Sequence, residues 1–401
     1  MLSVEEARAR ILGALLATPA ETVALPEAWG RVLARPVLSR LTQPPADVSA
    51  MDGYAVRAAD AVEGASLAVI GTAPAGHPWE GVVGPGQAVR IFTGGFMPQG
   101  ADSVLLQEDA SAAGGRVTVN ETVRAGRWVR RRGLDFAEGE ELLPAGRRLT
   151  ARDIGLAAAS NHPWLAVHRR PRIGILATGD EIALPGDPIP PGGIVSSNAH
   201  ALAALVRAAG GEPLVLPIAP DDSRAIAEAA AAAQRCDLLA TTGGASVGDH
   251  DLVQSALGPE GFALDFWKIA MRPGKPLIWG RLGHTPLLGL PGNPVSALVC
   301  GVLFLLPAVE LLSGLPARPP QTRQALSGAP LAGNDLRFDF LRARLETRED
   351  GALVATAFPV QDSSMLKTLA RAEALILRPP HAPALPAGAT VEVIPLGALG
   401  I

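Results

Sequence analysis

The chain has 401 residues, of which 48% are hydrophobic and 18% charged, and this composition predicts a folded protein of two to four domains with a large core. Its formal net charge of −4 gives no reason to expect nucleic-acid binding, because domains that bind nucleic acids are usually basic. Both cysteines, Cys236 and Cys300, lie in apolar runs and are expected to be buried free thiols, which favours a cytoplasmic location.

The N-terminal half combines helical and strand-like segments. Residues 1–16 place acids and arginines at helical spacing, which predicts a surface helix and not a secretion signal. Residues 47–147 consist of short strand-like runs separated by Gly and Pro, and they predict a β-rich module. Because helix-forming segments flank this module, we interpret it as an insertion into a discontinuous N-terminal domain formed by residues 1–46 and 148–170.

The second half contains two segments with different sequence patterns. In residues 171–315, apolar strands alternate with long helical patterns, which predicts a parallel sheet with helices on both faces. The apolar stretch 297–312 is interpreted as a buried helix too short to span a membrane, so no membrane association is expected. Residues 320–401 follow a proline-rich hinge and predict a small C-terminal β domain. The predicted fold class is therefore a multidomain α/β protein with a central parallel α/β domain.

Three short loops, 241–251, 272–276 and 290–296, follow apolar runs typical of buried strands. Their glycines, cations and carboxylates are the groups needed to hold phosphates or oxyanions together with a divalent metal. Because open α/β sheets bind ligands at the carboxyl ends of their strands, we expect a site at that edge. Each loop also has a purely structural explanation, such as Asn293 capping a helix that begins at Pro294.

Other segments are informative only in combination. Residues 178–181 place two acids and a glycine after the predicted strand 172–176, where a solvated turn is an equally good explanation. Residues 47–56 contain Asp52, residues 91–102 contain Thr93, and plain β-turns would explain both segments. The seven histidines show no paired metal-ligand spacing, so a zinc site based on histidine is not expected.

Taken together, six motifs in the same order along essentially the whole chain resemble the molybdopterin molybdenumtransferases, the family of the bacterial MoeA proteins and the E domain of gephyrin. The resemblance implies an enzyme of molybdenum cofactor biosynthesis that inserts molybdate into adenylylated molybdopterin and releases AMP, with Mg²⁺ as its cofactor. It also implies a homodimer with an active site shared between the chains. The motifs are residues 49–57, residues 93–94 with 100–102, and residues 178–181, 243–248, 273–276 and 290–296.

The resemblance implies roles for individual residues at the matching positions. The molybdate side is assigned to cations near the second loop, and the β-rich module would reach into the cleft of the partner subunit. The implied catalytic residues are Asp52, Thr93, Glu181, Asp221 and Asp251, of which Glu181, Asp221 and Asp251 are also the implied metal ligands. The implied substrate-binding residues are Gly243, Gly244, Ser246, Lys268, Arg272, Lys275, Pro291, Asn293, Ser296, Arg337 and Ser364.

Two departures from the family pattern affect these expectations. Arg272 stands where many relatives have lysine, which keeps the charge but replaces a compact donor with a planar fork. Glu373 stands where relatives often have asparagine, which weakens the assignment of the C-terminal contacts.

Two alternative functions are considered. A molybdopterin adenylyltransferase would resemble the parallel-sheet domain alone, so the additional N- and C-terminal domains argue against it. A non-catalytic pterin-binding scaffold would be expected to have lost its acids, whereas Asp52, Glu181, Asp221 and Asp251 are all present. The sequence does not distinguish molybdate from tungstate as the inserted oxyanion.

Overall fold

The computed structural model describes residues 1–243 and 256–399. The first element, helix α1 (Val4–Gly13), begins with a capping box formed by Ser3 and Glu6. The helix is amphipathic, and its buried face packs into the hydrophobic cluster of the central domain. The predicted helix is therefore present, but it packs against the central domain and not against the N-terminal domain to which residues 1–46 were assigned. The side chains on the buried face are Val4, Ala7 and Ile11.

The rest of the N-terminal half consists of short strands and one helix, α2 (Ala151–Ala159). Single turns of 3-10 helix lie at Leu25–Glu27 and Ala58–Asp60. The strands are β1 (Ala20–Ala24), β2 (Val37–Leu38), β3 (Val48–Ser49), β4 (Gly53–Val56), β5 (Ser66–Ala73), β6 (Gln87–Ile91), β7 (Ser103–Leu106), β8 (Ala110–Ala113), β9 (Arg116–Val119), β10 (Val129–Arg130), β11 (Glu141–Leu143) and β12 (Trp164–His168).

A six-stranded sheet with the order β7-β4-β6-β5-β9-β8 forms the body of the predicted β-rich module. Outside it, β1 pairs with β12 and β2 pairs with β11, and both pairs are antiparallel. Strand β11 lies within residues 47–147 but pairs with β2 of the N-terminal domain, where its Leu143 lies beside Val37. The chain rejoins the N-terminal domain earlier than the predicted boundary at residue 147.

The central domain contains a six-stranded sheet and three further short strands. Its helices include α3 (Asn198–Ala208) and α4 (Ser223–Ala232), followed by a 3-10 turn at Ala233–Arg235. The strands are β13 (Arg172–Ala177), β14 (Ile182–Ala183), β15 (Ile194–Val195), β16 (Glu212–Val215), β17 (Leu238–Thr242), β18 (Phe262–Lys268), β19 (Met271–Arg272), β20 (Pro276–Leu282) and β21 (Thr285–Leu290).

The sheet order is β16-β13-β17-β21-β20-β18, and its first four strands are parallel. The predicted parallel sheet is confirmed for these four strands, whereas β20 and β18, at the other end of the sheet, are antiparallel to their neighbours. The reason is the two-residue turn at Gly283, which joins β20 to β21 as a hairpin and leaves no room for a crossover helix. The start of β20 consequently lies at the same edge as the carboxyl ends of β13, β17 and β21.

A long apolar helix lies beneath this edge. It consists of α5 (Pro294–Cys300), a π-helical stretch (Gly301–Leu305) and α6 (Leu306–Leu312). The continuous helix Pro294–Leu312 has the length and composition of a membrane span, yet 83% of it is buried inside the protein. The prediction of a buried helix is confirmed, whereas the argument that the segment is too short is wrong. Cys300 and Cys236 are buried free thiols, as expected.

The C-terminal part forms a closed β structure. Its strands are β22 (Arg323–Ser327), β23 (Phe338–Thr347), β24 (Leu353–Ala357), β25 (Ala374–Arg378) and β26 (Thr390–Pro395), with the short helix α7 (Leu366–Leu369) and a final 3-10 turn (Gly397–Leu399). Because β23 pairs with both β24 and β25, the five strands close into a barrel. Strand β19 of the central segment pairs with β23 and connects the two domains. The predicted C-terminal β domain is confirmed.

Candidate functional site

A large cavity opens at the edge of the central sheet where β13, β17 and β21 end. Its volume of about 910 Å³ lies within the usual range for sites that bind small molecules and cofactors. The lining comes from the ends of these strands, the start of α3, the start of α5 and one C-terminal segment. The lining residues that the argument uses are Thr178, Glu181, Asn198, Asp221, Thr242, Gly243, Pro276, Pro291, Asn293 and Ser364.

The loops on two sides of the cavity are joined through one side-chain amide. Asn198 Nδ2, at the start of α3, donates to Thr242 Oγ1 at 2.8 Å and to the carbonyl of Gly292 at 2.7 Å. Gly243 follows β17 with a φ of +93°, a conformation that favours glycine. A Cβ at Gly243 would clash with the carbonyl oxygen of Thr178, so the two strand ends approach each other closely there.

Two predicted acids, Glu181 and Asp221, lie on the cavity wall. Burial and, after it, the charges of Asp180 and Glu181 raise the pKa of the Asp221 carboxyl above its ordinary value. The neighbouring Asp222 does not share this role, because its carboxylate caps α4 by accepting a hydrogen bond from Ala225 N at 2.9 Å. The structure therefore assigns different roles to two adjacent aspartates, which the sequence alone does not distinguish.

Removing the Asp221 charge should stabilise the metal-free protein at neutral pH. A carboxyl whose pKa is raised by folding contributes stability below its unfolded pKa and loses that contribution as the pH rises through its folded pKa. We expect Asp221→Asn to have a higher Tm than wild type at pH 7 without Mg²⁺, with the difference shrinking at about pH 4 and in high salt. Thermal unfolding across pH measures this.

Asp222→Asn is the matched control for that experiment. It removes the same charge one residue away but replaces a capping carboxylate, so we expect no rise in Tm. A Tm for Asp221→Asn equal to or below that of wild type at pH 7 would contradict repulsion among the cavity acids.

The cavity acids suit a magnesium ion. Mg²⁺ is usually held by one or two carboxylates together with substrate phosphates, so it needs no dedicated cage of protein ligands. Glu181 and Asp221 supply two carboxylates that line one cavity. The charge of Glu181 is one of those that raise the pKa of Asp221. Within residues 1–243 and 256–399, no three acidic, histidine or cysteine side chains come together as a metal site. The third predicted ligand, Asp251, lies outside the described residues.

The C-terminal domain contributes one wall of the cavity through Ser364. Asn293 is at the N-cap position of α5, as predicted, but its side chain makes no capping bond and instead donates to Ser363 Oγ at 3.0 Å. The Ser364 hydroxyl donates to Asp362 Oδ1 at 2.6 Å. These contacts fix the segment 362–364 against the loop after β21.

Arg342, which the sequence analysis did not select, forms hydrogen bonds that fix the start of the segment 362–364. Its side chain is 1% exposed, and it donates to Gln361 Oε1 and to the carbonyl of Asp362 at 2.7 Å. Burial lowers its pKa from the ordinary arginine value. A sequence signal existed, because Phe338, Phe340 and Arg342 occupy alternate positions of one strand and therefore one face.

None of the predicted cations lines the cavity within the described residues. Arg272 is committed to the C-terminal barrel, where its Nε donates to Asp339 Oδ1 at 2.9 Å. Asp339 raises the pKa of Arg272 through this hydrogen bond. Arg337 pairs with Asp335 at 3.0 Å instead of reaching the cavity. Lys268 lies over the ring of Trp267, 3.6 Å from its centroid.

Asp52 and Thr93 form a separate unit in the β-rich module. Asp52 Oδ1 accepts hydrogen bonds from Thr93 N and Thr93 Oγ1, both at 2.8 Å. The backbone bond and then the side-chain bond lower the pKa of Asp52, so its carboxylate is ionised at neutral pH. Neither residue lines the cavity of its own chain.

The remaining predicted residues are placed as follows. Pro291 lines the cavity, and Ser296 is buried in the first turn of α5. The Glu373 carboxylate accepts a hydrogen bond from Leu345 N at 2.9 Å and so stabilises the barrel. Lys275 lies in the loop before β20, where its carbonyl accepts a hydrogen bond from Ile269 N. Gly244, Ser246 and Asp251 lie outside the described residues.

Three family models match successive parts of the chain. A model described as the MoeA N-terminal region (domain I and II) matches residues 2–160. A probable molybdopterin binding domain matches residues 174–311. The MoeA C-terminal region (domain IV) matches residues 324–396. Their order follows the order of the described sheets.

Curated relatives and solved structures agree with these models. A molybdopterin molybdenumtransferase from Haemophilus influenzae is 33% identical over 100% of both chains. One from Nostoc sp. is 42% identical over 74% of this chain and 70% of its own. The crystal structure of a molybdopterin biosynthesis MoeA protein from Pyrococcus horikosii superposes with a TM-score of 0.86 at 28% identity, covering 98% of this chain and 99% of that one.

Proposed function

Because the chain belongs to the family of the molybdopterin molybdenumtransferases, we propose that it is an enzyme that inserts molybdate into adenylylated molybdopterin and releases AMP. The observation that carries this proposal is the cavity at the sheet edge. It brings two carboxylates, the Gly243 backbone and Ser364 of the C-terminal domain to one space large enough for a nucleotide-linked pterin.

The charge of the cavity supports a requirement for Mg²⁺. The described lining contains Glu181 and Asp221 but no lysine or arginine. A pyrophosphate group next to these acids would be strongly repelled unless a divalent cation neutralised it. Glu181 and Asp221 would hold the ion, which would stabilise the charge that develops on the phosphate released as AMP.

The protein residues would then position the substrate. The backbone N–H of Gly243 and the hydroxyls of the described cavity lining would donate hydrogen bonds to phosphate oxygens. Within the described residues Lys268 and Lys275 form no ion pair with an acidic side chain, and their positive charges would attract the molybdate dianion. Arg272 would contribute less directly, since its guanidinium is bound by Asp339.

A shared active site is part of the proposal. Asp52 and Thr93 are hydrogen-bonded to each other on the β-rich module and lie away from the cavity of their own chain. In a homodimer they would complete the cavity of the partner subunit. We place the enzyme in the cytoplasm, where buried free thiols such as Cys236 and Cys300 remain reduced.

Mixing two inactive variants tests the shared site. We expect Asp52→Ala and Glu181→Gln homodimers each to have little activity, and subunit exchange between them to restore up to about a quarter of the wild-type rate per subunit. Exchange must be demonstrated separately, for example with two affinity tags. Proven heterodimers without any recovered activity would show that each site is contained within one chain.

The direct test of the proposed reaction is to identify its product. Purified protein, adenylylated molybdopterin, Mg²⁺ and molybdate are incubated, and the pterin fraction is analysed by mass spectrometry for bound molybdenum. Metallated pterin formed in multiple turnovers is the expected result. Tight substrate binding without turnover by a folded protein would favour the scaffold alternative, and consumption of ATP with free molybdopterin would favour the adenylyltransferase.

A further inference from the structure

Two buried threonine hydroxyls at the edge of the central sheet have no hydrogen-bond partner among the residues that the structure describes. They are Thr178 Oγ1 and Thr241 Oγ1, and they are the buried side-chain polar atoms of the described residues that lack one. Thr178 is 2% exposed and Thr241 is fully buried. An unpaired buried hydroxyl costs stability, so its retention at a ligand site calls for a functional reason.

The backbone N–H of Thr178 is hydrogen-bonded, whereas its hydroxyl is unpaired among the described residues. Its backbone N–H donates to the carbonyl of Thr242 at 3.1 Å, and the next N–H, of Gly179, donates to the carbonyl of Ala219. The residue lines the cavity between the Glu181 side and the Gly243 side. A Cβ at Gly243 would lie 3.1 Å from Thr178 Oγ1, so the absence of a side chain at Gly243 keeps the space beside the hydroxyl open.

Thr241 provides an internal comparison. Side chains alternate between the two faces of a strand, so Thr241 shares its face with Leu239, whereas Thr242 faces the side of Asn198. Leu239 belongs to a hydrophobic cluster, and Thr241 does not line the cavity. The two residues therefore differ in one decisive respect, since of the two only Thr178 lines the cavity that a ligand would occupy.

We propose that the Thr178 hydroxyl is a substrate-binding group that donates a hydrogen bond to a phosphate oxygen of the bound adenylate. This inference rests on the proposed function. The described lining offers no lysine or arginine, so uncharged donors such as hydroxyls would bind the phosphate beside the proposed Mg²⁺. A threonine hydroxyl donates one hydrogen bond and is already desolvated here, which makes it a ready partner for an anionic oxygen.

Three variants of the full-length protein test this proposal. Thr178→Val removes the hydroxyl with little change of shape, Thr178→Ser keeps a hydroxyl, and Thr241→Val removes the unpaired hydroxyl that is outside the cavity. Affinity for AMP in the presence of Mg²⁺ is measured by calorimetry, and Tm is measured without ligand. AMP is used because it carries the phosphate in question and is the expected product.

We expect Thr178→Val to weaken AMP binding about 10-fold or more, as the loss of a hydrogen bond to a charged group does. Thr178→Ser and Thr241→Val should bind AMP like wild type. Both valine variants should keep or raise the Tm, because each removes an unpaired buried hydroxyl. A variant that is stabilised and yet binds less tightly is a result that a purely structural role would not give.

The outcomes separate this inference from the proposed function. If wild type binds AMP and Thr178→Val binds it equally well, the role of Thr178 is overturned while the proposed function stands. If Thr241→Val loses as much affinity as Thr178→Val, the cavity position of Thr178 is not the cause, and the inference also fails. Wild-type protein that binds neither AMP nor adenylylated molybdopterin would overturn the proposed function itself.

Discussion

Replacement of Glu181 by glutamine should lower the rate of AMP release by about 100-fold or more, since a metal-stabilised charge in the transition state is worth several kcal/mol. Glu181 is on the cavity wall, and its charge is one of those that raise the pKa of Asp221. The amide keeps the size of the side chain and removes the charge that would hold Mg²⁺. A higher Mg²⁺ concentration should therefore be needed for half-maximal activity.

Steady-state kinetics at several Mg²⁺ concentrations measure this effect, and Glu349→Gln is the control. Glu349 is an exposed acid in the loop between β23 and β24, so the same change there should leave the rate and the Mg²⁺ dependence unchanged. Full activity of Glu181→Gln with an unaltered Mg²⁺ response would show that this carboxylate takes no part in metal binding.

Replacement of Gly243 by alanine should damage both stability and activity. The residue has a φ of +93°, and a Cβ there would clash with the carbonyl oxygen of Thr178. Thr178 cannot move away easily, because its neighbours Ala177 and Gly179 are both hydrogen-bonded to Ala219. Strained backbone of this kind costs on the order of 1–3 kcal/mol, and the clash adds to it by pushing the strand ends apart. We expect a lower denaturation midpoint and weaker AMP binding.

Gly283→Ala separates the cost of backbone conformation from that of the clash. Gly283 also has a positive φ, of +59°, but a Cβ there would meet no atom within 4 Å. Its replacement should cost about 1 kcal/mol and leave AMP binding unchanged. If Gly243→Ala unfolded at the same denaturant concentration as Gly283→Ala and bound AMP normally, the close approach of Gly243 to Thr178 would be unimportant.

Local sequence patterns were sufficient for most elements of the fold. The Gly and Pro positions marked the strands of the β-rich module, and Ala-rich periodicity marked α3 and α4. Glu181, Asp221 and Asn293, which were selected by motif, line one cavity because parallel strands end at a common edge. The antiparallel hairpin β20–β21 was missed because its turn signal consists of Gly283 and one further residue.

The parts that local patterns could not supply depend on long-range contacts. Nothing near Arg272 in sequence indicates that Asp339, 67 residues away, binds its guanidinium. The same holds for Asn293, which fits a capping role locally but bonds with Ser363 across a domain boundary. The unpaired hydroxyl of Thr178 is invisible in a sequence, because it is defined by what surrounds the residue in three dimensions.

The most direct test of the central claim is the rate of AMP release from adenylylated molybdopterin with Mg²⁺, measured with and without molybdate. The account predicts that molybdate stimulates AMP release and that each AMP is matched by one metallated pterin. AMP release that is independent of molybdate, or an absence of release by folded protein that binds the substrate, would contradict it.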